Sequence, residues 1–259
     1  MANAKKKKSE PGSGQSLKTV LHMGISSAVP ERLHASFSKD QWQPVRMDND
    51  VRVKPDITGT LADMKAVKTG SMDAIWCHHL LQRFFLHDVE QGLRECYRVL
   101  KENGFLLMAL PDGQTAGAYL ANNKPADPVY QSGAGPISAL DMLYGYGPAL
   151  RDGKLHLAHR SAFTADMLGL MLRDSGFTNI RLERKKTEIQ AVAYKLGYDN
   201  PERVERVIIA QSDATKALPK VAPVKAAENT STPVQKGKDG LTDSLDMPPA
   251  LWKPLGLKK

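Results

Sequence analysis

Only two cysteines, Cys77 and Cys96, occur in 259 residues. Two thiols cannot build a disulfide framework, so a reducing compartment, the cytoplasm, is expected. No apolar run approaches the ~20 residues that span a bilayer, so no transmembrane segment is expected either. Near the N-terminus, Lys5 to Lys8 lead into Ser9-Glu10-Pro11-Gly12-Ser13-Gly14 rather than the apolar segment of a secretory signal, and residues 1–16 read as a disordered basic tail. The central part also lacks net charge. Of the formal +8, residues 1–16 hold +3 and residues 215–259 hold +4, which leaves +1 for residues 17–214. A nucleic-acid surface needs its basicity clustered on the folded domain, so no specific nucleic-acid partner is expected. Solvated ends account for the charge, with weak attraction to a polyanion or an anionic membrane surface as the alternative.

What the sequence does have is a hydrophobic content of 41%, enough for one core of about 200 residues, and one strongly patterned stretch, Ser71 to Asp112. Met72 to Trp76 reads as a short buried strand. Leu86, Val89, Leu93, Cys96, Tyr97 and Leu100 recur at spacings of three and four, with Asp88, Glu90, Arg94, Glu95 and Arg98 between them, as in an amphipathic helix. Asn103-Gly104 is the expected stop, because both tolerate the left-handed conformation. Phe105 to Leu110 is a second apolar strand. Strand, helix and strand make a βαβ unit and hence a parallel sheet.

Ser71-Met72-Asp73-Ala74, then Leu93 to Gly104 (LRECYRVLKENG), then Leu110-Pro111-Asp112 stand in order along this stretch. They resemble class I S-adenosylmethionine-dependent methyltransferases, especially the methyltransferase type 11 group. The resemblance implies an α/β fold: a Rossmann-like three-layer α/β/α sandwich, its seven-stranded, mostly parallel sheet ending in an antiparallel pair. It also implies S-adenosyl-L-methionine as cofactor. Leu17 to Met23 is the first strand, and the family's glycine loop falls on Gly24-Ile25-Ser26. Gly24 matches the first glycine, Ser26 stands at the second, Ile25 replaces a small residue, and His22 replaces an acid or amide. The strand Pro44 to Met47 ends at Asp48, where the family places a carboxylate on the ribose hydroxyls. Asp50 is the near alternative, and a turn-forming Asp-Asn-Asp cluster is the plain one. Thr60 stands where an aspartate near the adenine is usual. Asp73 is expected to border the cofactor. Gln82-Arg83 replaces the family's Glu-His pair.

His79 is read as lining the cofactor pocket, with a core or loop histidine as the alternative. Cys77, His78, His79 and His87 give no metal site, because neighbours in an extended chain point to opposite faces and no second pair has zinc-like spacing. Gly113 to Asn123 is expected to be a helix. Residues 124–160, rich in Gly and Pro and holding three of the seven Tyr, are read as an insertion that caps the substrate, with Tyr144 and Arg160 as substrate contacts. This segment, through Arg160-Ser161-Ala162-Phe163-Thr164, resembles a subgroup of bacterial methyltransferase-like proteins. His159 is the candidate catalytic base, because its pKa lies near neutrality. The alternative makes His159-Arg160 a loop anchor that caps the next helix or pairs with Asp141 or Asp152. Thr164 caps the helix Ala165 to Ser175, and Asn179 to Arg184 with Glu188 to Tyr194 form the closing antiparallel pair. Val204 to Ala210 fits either a helix or a strand.

The domain is therefore expected over residues 17–210, with a disordered linker over residues 211–259 that ends in an apolar segment around Trp252. That segment either docks on its own domain or binds a protein partner. The implied function is methyl transfer to a small-molecule or glycan-type acceptor. The altered glycine loop, Thr60 and Gln82-Arg83 leave a second reading open, a non-catalytic scaffold with an impaired cofactor site.

Overall fold

The computed structural model describes residues 16–25, 33–195 and 208–211. The expected tails, Ser26 and the Trp252 segment lie outside these residues. The strands are β1 (Lys18–Met23), β2 (Trp42–Asp48), β3 (Ile57–Thr58), β4 (Met72–His78), β5 (Leu100–Pro111), β6 (Pro128–Ser132), β7 (Gly135–Ser138), β8 (Thr178–Lys185), β9 (Glu188–Tyr194) and β10 (Ile208–Gln211). The helices are α1 (Leu86–Val99), α2 (Gly113–Ala121), α3 (Ala139–Tyr144), α4 (Gly147–Arg151) and α5 (Ala165–Asp174).

Eight strands form the main sheet in the order β10-β8-β9-β5-β4-β1-β2-β3. β1 to β5 run parallel to one another, while β9 is antiparallel to both β5 and β8. This is the expected seven-stranded sheet with its antiparallel pair, extended by β10, which pairs parallel to β8. The chain after Val204, open between helix and strand on sequence, is a strand from Ile208. From β1 the chain steps outward to β2 and β3, then returns to β4 on the other side of β1. The carboxyl ends of β1 and β4 thus form a topological switch point, where open α/β sheets bind their ligands.

The sheet buries two faces. Leu21, Met23, Ile75, Cys77, Leu106, Met108, Leu182 and Ile189 share one cluster with Val89, Leu93, Cys96 and Val99 of α1 and Leu168 and Leu172 of α5. Each fully buried Leu or Val contributes about 1.5–3 kcal/mol. On the other face Val20, Ala74, Trp76 and Ala109 pack with Phe37 and Trp42. Phe37 lies edge-on to Trp42 at 4.9 Å, so among the described residues an aromatic loop covers this face in place of a helix.

The βαβ unit forms as expected, with one correction. α1 stops at Val99, and Leu100 is already extended at φ −68, ψ 142. Asn103-Gly104 lies inside β5 and has no left-handed residue. Gly104 is needed for space instead, since a Cβ there would sit 2.9 Å from the Lys101 carbonyl and 3.1 Å from that of Asp73. Residues 124–160 are also more regular than their composition suggested. The hairpin β6–β7, α3 and α4 occupy them, and Ile137, Ala139 and Met142 pack on Ala116 of α2. Ser138 and Asp141 close a reciprocal cap at the start of α3.

At the end of β5, Asp112 is fully buried and accepts from Arg184 Nε and Nη2 at 2.8 and 2.6 Å. It also caps α2 through the Gln114 amide at 3.0 Å and accepts from the Thr115 hydroxyl at 2.8 Å. Strand, helix and the β8 edge are thereby joined by a buried pair with its hydrogen bonds satisfied. No helix among the described residues is long and apolar enough to cross a membrane.

Candidate functional site

Gly24 ends β1 at φ +79, and a Cβ there would meet the His78 carbonyl at 2.8 Å and Leu80 at 3.2 Å. Positive φ and close approach to the end of β4 both demand glycine here. Asp48 ends β2 beside it. One of its oxygens accepts from the Asp50 amide at 2.9 Å; the other has no hydrogen-bond partner among the described residues. Gly24, Asp48, Asn49, Thr60, Leu61, Leu80 and Phe84 surround a narrow crevice of about 30 Å³. Asp48, Asn49, Leu80 and Phe84 also border a cavity of about 440 Å³, whose other walls include Ile25, Arg83, His156 and Arg160. A volume of a few hundred Å³ is that of a small-molecule site.

Of the expected cofactor residues, Gly24, Asp48 and Thr60 therefore meet at the switch point. The Thr60 hydroxyl accepts from the Asp63 amide at 3.1 Å, which closes its own turn. Asp50 is the N-cap of the turn Val51–Val53 and pairs with Arg52 at 2.7 Å, which pulls its pKa down to about 2.

Two cofactor expectations need correction. Asp73 is the second residue of β4, at the amino end of the sheet. At about 3.3 Å per residue, it lies roughly 16 Å along the strand from His78. It accepts there from the Thr19 amide at 2.9 Å and from Lys101 Nζ at 2.8 Å, and so joins β1, β4 and β5. His79 borders neither the crevice nor the cavity. It is left-handed at φ 49, and its Nε2 meets Glu188 Oε1 of β9 at 2.9 Å.

That backbone twist also removes the argument against a His-His cluster. The rings of His78 and His79 lie 4.4 Å apart, and the donor atoms of His78, His79 and Glu188 fall within 4.8 Å of one another. Burial, and then the neighbouring His79, push the His78 pKa down to about 4. The hydrogen bond from His79 holds the Glu188 carboxyl below its usual range. Neutral imidazoles beside a carboxylate are a donor set that suits a divalent transition metal.

The substrate-side expectations divide similarly. Arg160 does border the cavity. Its amide donates to the Gln82 carbonyl at 2.7 Å, its Nη1 donates to the Arg83 carbonyl at 2.5 Å, and its guanidinium lies 5.5 Å over the Phe85 ring. Anchoring is thus part of its role, though through Gln82 and Arg83 rather than through Asp141 or Asp152. Tyr144 is exposed and borders neither the crevice nor the cavity of about 440 Å³. His159 Nδ1 lies 2.9 Å from the Met142 carbonyl. A carbonyl only accepts, so Nδ1 carries the proton and Nε2 the lone pair. Burial lowers its pKa, so it is neutral at neutral pH. It does not line the cavity; the short turn Leu155–Leu157 presents His156 there instead.

Sequence reasoning missed Lys154, His156 and Arg83 as cavity residues. Nothing in their spacing marked the first two, and Gln82-Arg83 was legible only as a departure from a family pair. The Arg83 side chain has no hydrogen bond among the described residues, and its Nε is buried without a partner. Burial holds its guanidinium below the ordinary value, opposed by the charge of Asp48.

Strand order, switch point and crevice together define a Rossmann-like α/β domain with a candidate ligand site at its switch point. Residues 12–108 match the model of a family described as a methyltransferase domain. Over that segment the match agrees with the methyltransferase resemblance read from the sequence. No curated protein matches the chain. Among solved structures, it is similar to a SAM-dependent methyltransferase from Archaeoglobus fulgidus, with 11% identity, a TM-score of 0.47, and coverage of 69% of this chain and 86% of that one. A SAM-dependent methyltransferase from Methanosarcina mazei gives 14% identity, a TM-score of 0.45, and coverage of 70% and 94%. An O-methyltransferase family protein from Burkholderia thailandensis gives 11%, 0.42, and coverage of 70% and 52%.

Proposed function

We propose that the chain catalyses S-adenosylmethionine-dependent methyl transfer to a small-molecule or glycan-type acceptor. The observation that carries this reading is Asp48. Its carboxylate ends β2 beside Gly24, uses one oxygen on the Asp50 amide and keeps the other available, at the boundary of the crevice and the 440 Å³ cavity. A carboxylate there accepts from a ribose hydroxyl, and the bare Gly24 backbone lets the chain pass close to a ligand. Leu80 and Phe84 give the crevice apolar walls. When bound, S-adenosylmethionine supplies an electrophilic methyl group. The protein's part is to hold the acceptor in line with it and to exclude water. His156 lines the cavity and His159 does not, so proton acceptance from the acceptor falls to His156.

A second reading, a non-catalytic scaffold, draws on the small crevice and on Ile25, which is buried against the cavity. Calorimetric titration with S-adenosylhomocysteine separates the two. Micromolar binding that Asp48→Ala weakens tenfold or more is expected. No heat at millimolar ligand would transfer the argument to the scaffold.

A further inference from the structure

The cavity beside Asp48 is lined by four cationic side chains, Arg52, Arg83, Lys154 and Arg160, against two carboxylates, Asp48 and Asp50. The Arg52 charge is matched by Asp50 at 2.7 Å. Arg160 is tied to a backbone carbonyl and keeps its charge. Arg83 is the unusual member. It borders the cavity, its Nε is buried with no acceptor, and no carboxylate among the described residues reaches it as an ion pair. A guanidinium carries five donors in a planar fork, and leaving a buried one such as Nε unused is costly. Folding retains this arrangement where a ligand completes it. Beside the polar Asn49 and His156, the remaining walls, Ile25, Val53, Leu80, Phe84 and Leu157, are apolar.

We propose that the cavity binds an acceptor bearing a carboxylate or phosphate group on an apolar body, with Arg83 as the bidentate anchor and Arg160 and Lys154 as supporting charges. The fork of Arg83 matches the two oxygens of such a group. The apolar walls take the body of the molecule. The term acceptor rests on the methyl-transfer reading; the anion site itself does not.

The test uses the full-length protein, with phenyl phosphate and benzoate as probes and benzyl alcohol as the neutral control. Saturable binding of the anionic probes, at least tenfold tighter than benzyl alcohol, is expected. Arg83→Met should weaken it tenfold or more, and Arg83→Lys, which keeps the charge but loses the fork, should still weaken it severalfold. In wild-type protein the Arg83 Nε–H resonance should shift on titration with phenyl phosphate, a readout that survives if Arg83→Met fails to fold. Equal binding of phenyl phosphate to wild type and Arg83→Met, or an unmoved Nε–H resonance, overturns the proposal. So does a tenfold loss of S-adenosylhomocysteine affinity in Arg83→Met, which would assign the guanidinium to the cofactor's own carboxylate. Should phenyl phosphate bind at Arg83 while S-adenosylhomocysteine does not bind at all, the anion site stands and the methyl-transfer reading falls.

Discussion

A cavity of about 690 Å³ at the amino end of the sheet is bounded by Lys18, Asp73, Lys101, Glu102 and Lys195. The cavity at the carboxyl end, about 440 Å³, is bounded by Asp48, Arg83, Lys154 and Arg160. Both hold cations and carboxylates, and the larger one lies at the end of the sheet remote from the switch point. They differ in how far their polar groups are satisfied. At the amino end Asp73 accepts from Thr19 and Lys101, Lys195 donates to the Leu100 carbonyl at 2.9 Å, and Lys18 lies over Trp42. At the carboxyl end, among the described residues, Asp48 keeps an oxygen without a partner and the buried Arg83 Nε has no acceptor. A site shows itself by hydrogen-bonding capacity that folding leaves unused, and volume is a poor guide to it.

Four experiments break or sharpen that contrast, taken from the largest expected effect to the smallest. The carboxyl end also holds one pair that is complete, Asp112 with Arg184. Asp112→Ala would strand a buried guanidinium and should cost about 3–5 kcal/mol in urea denaturation. A loss below 1 kcal/mol would mean that satisfied pairs here are not structural, and the contrast would lose its reference.

Gly24→Ala places a Cβ 2.8 Å from the His78 carbonyl at φ +79. Strain of about 1–3 kcal/mol is expected, together with weakened S-adenosylhomocysteine binding. Unchanged stability would show that the turn relaxes freely.

Asp48→Ala and Asp73→Ala form the direct comparison. The first should reduce S-adenosylhomocysteine affinity about tenfold to a hundredfold with little change in melting temperature, the loss of one charged hydrogen bond. The second should cost about 1 kcal/mol of stability with affinity intact, since its partner Lys101 is half exposed. An exchange of these outcomes would move the ligand to the amino end.

The smallest effect is on pH. His78, at about 4, and His159 both have pKa values lowered by burial. The unfolded chain therefore binds protons that the fold refuses, and stability should fall as pH drops from about 6.5 toward 4. Glu188, whose carboxyl is held low by His79, loses its contribution in the same direction at lower pH. His78 retains considerable solvent access, so the slope is modest. Urea midpoints measured between pH 7 and pH 4 test the sign; a midpoint that rises on acidification would contradict the buried neutral state.

The short apolar run of Met72 to Trp76, the three-and-four spacing of α1 and the apolar run of β5 marked the parallel unit, because local pattern reports which residues are buried. The motif match placed Gly24 and Asp48, since their roles depend on strand ends that the chain order sets. The error at Asp73 has the same origin as these successes. A motif says which strand a residue is on, but only the register says which end of it faces the ligand. The helix stop at Asn103-Gly104 failed because the chain passes straight into β5, and Gly104 answers a close backbone approach there.

The sequence alone thus held the βαβ unit in its local pattern and, through a family resemblance, the mostly parallel sheet and the two residues at its switch point. Tertiary structure decided the rest. It turned His79 toward Glu188 by a left-handed backbone, paired Asp112 with Arg184 across 72 residues, and folded residues 154–160 over Asp48. Among the described residues, it also left the buried Arg83 Nε without an acceptor beside a cavity. Contacts between residues far apart in the chain have no period to read, and an unsatisfied group can be recognised only when all its neighbours are in place.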